Sequence, residues 1–194
     1  VSTNSIAAVT PAGLRLADGT EFAVDVLIFA TGFDATTGTL NRIDIRGRDG
    51  RLLREKWAEG PRTYLGMSSA GYPNLFMVTG PQSPGVLSNM PVSIEQHVEF
   101  ITGLIADTRE RGIALVEPSV EAEDAWVEHN NQVADATLFA KADTTYTGAN
   151  IEGKPRVFLP NLDLVGGYRA KCAEVAANGY EGFTLTPAGV PADA

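Results

Sequence analysis

Between Thr79 and Pro91 the sequence reads TGPQSPGVLSNMP, a run of glycine, proline, serine and asparagine that joins an apolar stretch, LFMV, to an amphipathic one. Gly80 lets the main chain approach a ligand closely, and the prolines stiffen the turn. A helix starting near Asn89 would aim its orphan N–H groups and positive dipole end at something electron-rich. In open α/β sheets ligands sit at this place, beyond the carboxyl end of a strand. The same spacing also describes a rigid strand-to-helix connection with a good N-cap, and the residues alone leave both readings open. DVLIFATGFD poses the same pair: Thr31 and Gly32 end an apolar run either in a tight turn or at a ligand edge shared with the first loop.

Other chemistry is sparse. His97 and His129 fall within predicted helices, where a solvated or locally hydrogen-bonded ring is the default. Cys172, the single cysteine, has no neighbouring Cys or His, so no metal-ligand spacing exists. No nucleophile elbow, GxGxxG or P-loop occurs, and a dinucleotide would have to find its main pyrophosphate cradle outside this chain. The acidic run EPSVEAEDAWVEHN is expected to form a solvated helix face with Trp126 turned inward.

Elements must hold these residues in place. The first third predicts a small meander of edge strands, broken at Pro11, Gly13 and the Asp18-Gly19 turn. Residues 26–30, continuously apolar, are expected as a strand buried on both faces of a parallel sheet, and residues 75–79 as a second. A helix should start near Asn89 and Pro91, bury a stripe of Ile94, Val98, Ile101, Leu104 and Ile105, and stop at Gly112. Further helices are expected from Ser119 past Trp126 towards Thr137 and from Tyr168 to Ala177, separated by a long Gly/Pro/Asn/Thr-rich loop. The final TPAGVPADA is expected to fray.

Composition narrows the partners. A chain of 194 residues with 44% hydrophobic content can bury a core, and its apolar runs are far too short to span a bilayer. A net charge of −9 with scattered Lys and Arg argues against nucleic acid or an anionic membrane and for a small-molecule ligand. One cysteine fits a reducing, cytoplasmic setting. The start, VSTNSIAAVT, has neither a signal-peptide pattern nor an initiator methionine, as expected of a processed or excised piece.

Taken together, DVLIFATGFDA, RIDIRGRDG, WAEGPRTYLGM, YPNLFMVTGPQSPGVLSNMPVSIEQHVEFI, LFAKADTTYTGANIEGKPRVF and YRAKCAEVAANGYEGFTL resemble, in order and spacing, the C-terminal third of Baeyer-Villiger monooxygenases. The resemblance implies an α/β fold, the C-terminal part of a two-dinucleotide-binding flavoprotein. Residues 1–111 would complete the FAD-binding domain, including the crossing from the NADPH domain, and residues 112–194 would form a helical extension carrying a mobile loop at 144–154. It implies FAD and NADP as cofactors, a ketone and O2 as substrates, ester or lactone as product, and the N-terminal part of the same enzyme as a required partner. By the family motif Gly80, Pro81, Asn89 and Met90 would contact FAD, while Gly85, Val86 and Leu87 would shape the substrate pocket. Thr31 and Gly32 would lie at the domain crossing, and Thr145 would stand where the family usually has a tryptophan that helps hold NADP. LPNLDLVGG departs from the family's aromatic-Gly-Gly stretch. The catalytic arginine and the Rossmann fingerprints of the family belong to segments outside these 194 residues, so no catalytic residue is carried over.

Two rival readings accompany this one: a related flavin monooxygenase that oxidises sulfur or nitrogen, and a detached, non-catalytic binding or assembly module.

Overall fold

The structure, a computed structural model, describes residues 3–30, 32–85 and 88–189. Contacts divide the chain into an N-terminal unit ending at Gly32 and a larger unit beginning at Phe33.

In the first unit the short alternating segments pair as expected. Strands β1 (Ile6–Thr10), β2 (Gly13–Leu16) and β3 (Glu21–Ala23) form an antiparallel sheet in that order. Asp18 Oδ1 accepts the Thr20 N–H at 2.9 Å and closes the second turn. Residues 26–30 do not form the expected buried strand. They carry no strand assignment, and Val26, Ile28 and Phe29 are 75%, 82% and 72% exposed. An apolar run encodes burial, but a parallel strand exists only beside others, and no described residue offers these a ladder.

In the second unit two short helices, α1 (Gly38–Arg42) and α2 (Leu53–Lys56), precede the long α3 (Met90–Glu110); β4 (Ile113–Pro118), α4 (Val120–Asp135), α5 (Leu164–Ala177) and β5 (Phe183–Pro187) follow. Helix α3 starts at the predicted place, with Asn89 as N-cap and proline in its first turn. Ser119 caps α4, its hydroxyl accepting the Ala122 N–H at 3.1 Å. Helix α5 begins one turn earlier than expected. Strands β4 and β5 pair antiparallel, with Pro187 opposite Ile113 and Thr186 opposite Leu115, so the first part of the supposedly frayed tail is ordered. Residues 190–194 lie outside the described residues.

The main core brings Tyr64, Leu65 and Met67 against Phe100 and Leu104 of α3, Val116 of β4, Trp126 of α4, and Tyr168, Cys172 and Val175 of α5. A smaller cluster joins Leu53, Trp57, Tyr72 and Met77. Residues 75–79 are not a strand. Met77 is buried and donates its N–H to the Met67 carbonyl at 2.8 Å, whereas Thr79 turns left-handed (φ 55°), which ends any extended run.

Helix α3 also buries a different face from the one its periodicity suggested. Ile101 and Leu104 point inward with Ser93, Gln96, His97, Phe100 and Thr108, while Ile94, Val98 and Ile105 are 40%, 44% and 40% exposed. The helix is apolar over a wide arc. Hydrogen bonds to His97 and ring packing on Phe100 select the inner part of it.

The acidic run is not simply a solvated face either, although Trp126 is buried as expected. Glu117 and Glu123 are both buried. Glu117 pairs with Arg48 and accepts the Gly71 N–H at 3.0 Å. Glu123 accepts from Lys56 Nζ at 2.8 Å, the Ser69 hydroxyl at 3.0 Å and the Ala70 N–H at 2.9 Å. These bonds tie β4 and α4 to residues 48–71. Burial depresses the Lys56 pKa, against the opposing pull of Glu123.

Candidate functional site

The loop after Met77 is fastened on every side. Thr79 N–H donates to His97 Nδ1 at 2.9 Å, the Ser83 hydroxyl donates to the Gly80 carbonyl at 2.7 Å, and Trp126 Nε1–H donates to the Gln82 carbonyl at 3.1 Å. Asn161 N–H reaches the Ser83 carbonyl at 2.9 Å. Behind the turn Pro81 is fully buried, its carbonyl accepting from the Thr63 hydroxyl at 2.9 Å.

Two glycines let the backbones touch. A Cβ on Gly80 would lie 2.5 Å from the Gly66 carbonyl oxygen. One on Gly66, itself at φ 67°, would lie 2.5 Å from the Ser83 Cβ and 2.7 Å from its nitrogen.

His97 anchors the loop from below. Fully buried, it accepts the Thr79 N–H on Nδ1, so its proton rides on Nε2, which faces the Tyr168 hydroxyl at 2.9 Å; that hydroxyl in turn donates to the Leu65 carbonyl. The ring is therefore hydrogen-bonded, but to distant partners and without solvent. Burial pushes its pKa down to about 4, and burial raises that of Tyr168 well above the ordinary phenol value.

A stability prediction follows. Unfolded His97 takes up a proton near pH 6.5, whereas the folded ring resists until about pH 4, so this contribution is intact above 6.5 and lost as pH falls through that window. The loss is about 3 kcal/mol. Urea titrations from pH 7.5 to 4 should show it, and His97→Gln should flatten it. An identical pH slope in the variant would exclude His97 as the source. His129, by contrast, is exposed and meets Asp163 Oδ2 at 2.7 Å, in line with a solvated, hydrogen-bonded histidine.

Above the loop lies a cleft of about 290 Å³. Gly80 and Gly85 line it with Met90, the first residue of α3; Thr145 and Tyr146 line it from the later loop, and Ala35 and Thr36 from the segment after Phe33. Leu159 N–H donates to the Tyr146 carbonyl at 2.9 Å, and Phe139 packs edge-on against the Tyr146 ring and tilted against Phe158.

Of the residues singled out in the sequence, Gly80, Gly85, Met90 and Thr145 thus come together. Pro81 supports them from behind, and Asn89 is the exposed N-cap residue of α3, its side chain making no cap bond. Gly32 is exposed at φ 84° and belongs to the other unit. Thr31, Val86 and Leu87 lie outside the described residues. Sequence reasoning missed Ala35, Thr36, Tyr146, Leu159 and Pro160. Tyr146 stands beside the selected Thr145, and that adjacency was the available signal; Ala35 and Thr36 follow Gly32 by three and four residues.

Among the described lining residues Tyr146 is the only ionisable one; no carboxylate, imidazole or thiol lines the cleft. It can bind a ligand and exclude water. Its size, just under the range typical for a drug-sized ligand, suits one ring system and not a whole dinucleotide. The N-terminus of the 21-residue α3 brings N–H groups and a positive dipole end to its rim.

No protein-family model matches the chain. Its relatives include a Baeyer-Villiger monooxygenase and monooxygenases named for acetone, cyclohexanone and cyclopentanone. Acetone monooxygenase (methyl acetate-forming) of Gordonia sp. (strain TY-5) is 45% identical over 187 residues, 96% of this chain and 35% of the relative. Phenazine N-monooxygenase PhzNO1 of Lysobacter antibioticus is 42% identical over 182 residues, 94% of this chain and 33% of the relative. Among solved structures the OTEMO complex with FAD and NADP superimposes with a TM-score of 0.85 at 38% identity, over 94% of this chain and 33% of that one. The chain therefore spans about a third of the length of the proteins it matches, and its α/β architecture is that of the corresponding third.

Proposed function

We propose that this chain, homologous along nearly its whole length to Baeyer-Villiger monooxygenases, is the part of such an enzyme that covers the flavin ring and the site of oxygen insertion. The complete protein would use FAD and NADPH to convert a ketone and O2 into an ester or lactone and water. The observation that carries the proposal is the convergence of Gly80, Gly85, Met90 and Thr145 on one cleft at the N-terminus of α3.

The residues present fit a flavin. The cleft admits a flat ring, lacks charged groups, and adjoins N–H donors suited to the electron-rich edge of that ring. FAD reduced by NADPH supplies the activation of O2, with one oxygen atom entering the product and the other leaving as water. The chain's own share is binding and exclusion. Gly80 brings main chain to the ring with Pro81 bracing it from behind, Asn89 and Met90 present the helix end, and Gly85 with Val86 and Leu87 would bound the ketone. Thr31 and Gly32 lie at the crossing from the NADPH domain, with residues 1–111 completing the FAD-binding domain. Residues 112–194 extend it, and the loop at 144–154, with Thr145 towards NADP, shuts out water while the reaction runs.

Exposed Ile94, Val98 and Ile105 on α3, which the N-terminal part of the enzyme would cover, and the unpaired residues 26–30, which would join its sheet, support the need for that part. No helix among the described residues is long and apolar enough to cross a membrane, and a cytoplasmic location belongs to the same reading.

The N-oxidising relative favours a second reading, oxidation of nitrogen or sulfur by the same cofactors. One experiment separates the readings. The complete polypeptide is purified, its visible spectrum recorded, and NADPH-dependent turnover of cyclohexanone and of a thioether analysed by mass spectrometry. A flavin spectrum with lactone as the main product supports the proposal. Sulfoxide without lactone supports the second reading, and a colourless protein that takes up no FAD overturns both.

A further inference from the structure

We infer that Lys154 and Asp34 are positioning residues whose ion pair latches the loop at residues 144–154 onto residues 33–36, and so fixes two walls of the cleft against each other. This inference rests on the proposed function for its purpose, but not for its geometry. Lys154 Nζ lies 2.5 Å from Asp34 Oδ1 and 3.4 Å from the Ala35 carbonyl oxygen. The two side chains are only 13% and 27% exposed, so solvent and salt screen the pair less than an ordinary surface pair. Asn150 Nδ2 adds a second tie to the same segment, donating to the Phe33 carbonyl at 3.0 Å.

The lysine is itself held in position. Gly148 ends the short turn Thr145–Thr147 in the left-handed conformation (φ 74°), and a Cβ there would stand 3.1 Å from Lys154 Cδ and 3.3 Å from the Pro155 carbonyl oxygen. Glycine leaves the room in which the lysine stem crosses the turn.

Neither Lys154 nor Asp34 lines the cleft. Each adjoins residues that do: Ala35 and Thr36 follow Asp34 directly, and Thr145 and Tyr146 open the loop that Lys154 closes. A polar tie of this kind can release and re-form without exposing a large apolar surface. Release would admit or discharge ligands, and re-formation would hold Thr145 and Tyr146 over what is bound.

Hydrogen–deuterium exchange on the complete polypeptide, without flavin or substrate, tests this. Lys154→Met and Asp34→Asn should each speed exchange of the amides at residues 145–151 about tenfold, leaving α4 and α5 unchanged. Lys154→Arg should restore protection, and the double variant should be no more open than either single. Unchanged exchange in both single variants, or fully additive effects in the double, would overturn the latch. Because exchange is read without cofactor, a colourless protein would sink the proposed function and leave this test standing, whereas unchanged exchange in the variants of a protein that does take up FAD and turn over would sink the latch alone.

Discussion

Truncating Glu123 to alanine is expected to lower stability by about 3–5 kcal/mol, one of the two largest effects anticipated in this protein. Its carboxylate is 2% exposed and receives Lys56, Ser69 and the Ala70 N–H. Removing it strands the Lys56 ammonium, itself 11% exposed, leaves the Ala70 N–H without its acceptor, and leaves the Ser69 hydroxyl only the Arg62 carbonyl. At about 2–4 °C per kcal/mol for a chain of this size, thermal melts should shift by roughly 10 °C. The double variant Lys56→Met/Glu123→Leu removes both charges and should lose far less, because no uncompensated charge stays buried. Equal losses in the single and double variants would show that packing, and not the ion pair, sets the cost.

Gly66→Ala is the second. A left-handed alanine costs about 1–2 kcal/mol, and overlap of its Cβ with the backbone of Ser83, 2.7 Å from the nitrogen, adds about 1–3 kcal/mol. Gly112→Ala is the matched control: its φ is 66°, yet a Cβ there meets nothing within 4 Å. It should show the conformational part alone. Because Ser83 also lines the cleft, the Gly66 variant should bind FAD more weakly in the complete polypeptide, and the Gly112 variant should not. Comparable melts for the two would mean that the two loops yield to each other without strain.

Local signals made much of the fold legible. The meander followed from alternation and turn residues, the start of α3 from Asn89 and Pro91, and the start of α4 from Ser119, because each depends on neighbours in the chain. What escaped depends on partners far along it. Glu117 and Glu123 look like any solvated carboxylates until Arg48 and Lys56, 69 and 67 residues away, are brought to them. The inner face of α3 could not be chosen from apolar periodicity, because the polar His97 is what turns inward, held by Thr79 and Tyr168.

The same limit applied to the site. Gly80, Gly85 and Met90 stood out as a loop of unusual composition feeding a helix, and Thr145 through the family motif. Asp34 and Lys154 carried no signal of their own; only the folded chain makes them a pair. Residues 26–30 show the converse case, where the signal was clear but no strand among the described residues pairs with them.

Those five residues have a further consequence. Val26, Leu27, Ile28, Phe29 and Ala30 bear no charge and no proline, and Val26, Ile28 and Phe29 stand exposed. A segment of that kind accepts any extended chain that comes alongside, including another copy of itself. With those residues unpaired, the chain is therefore prone to self-association, and the concentration at which it is handled, more than its own stability, sets how long it stays dispersed. A lysine in place of Ile28 would act as a gatekeeper against such aggregation.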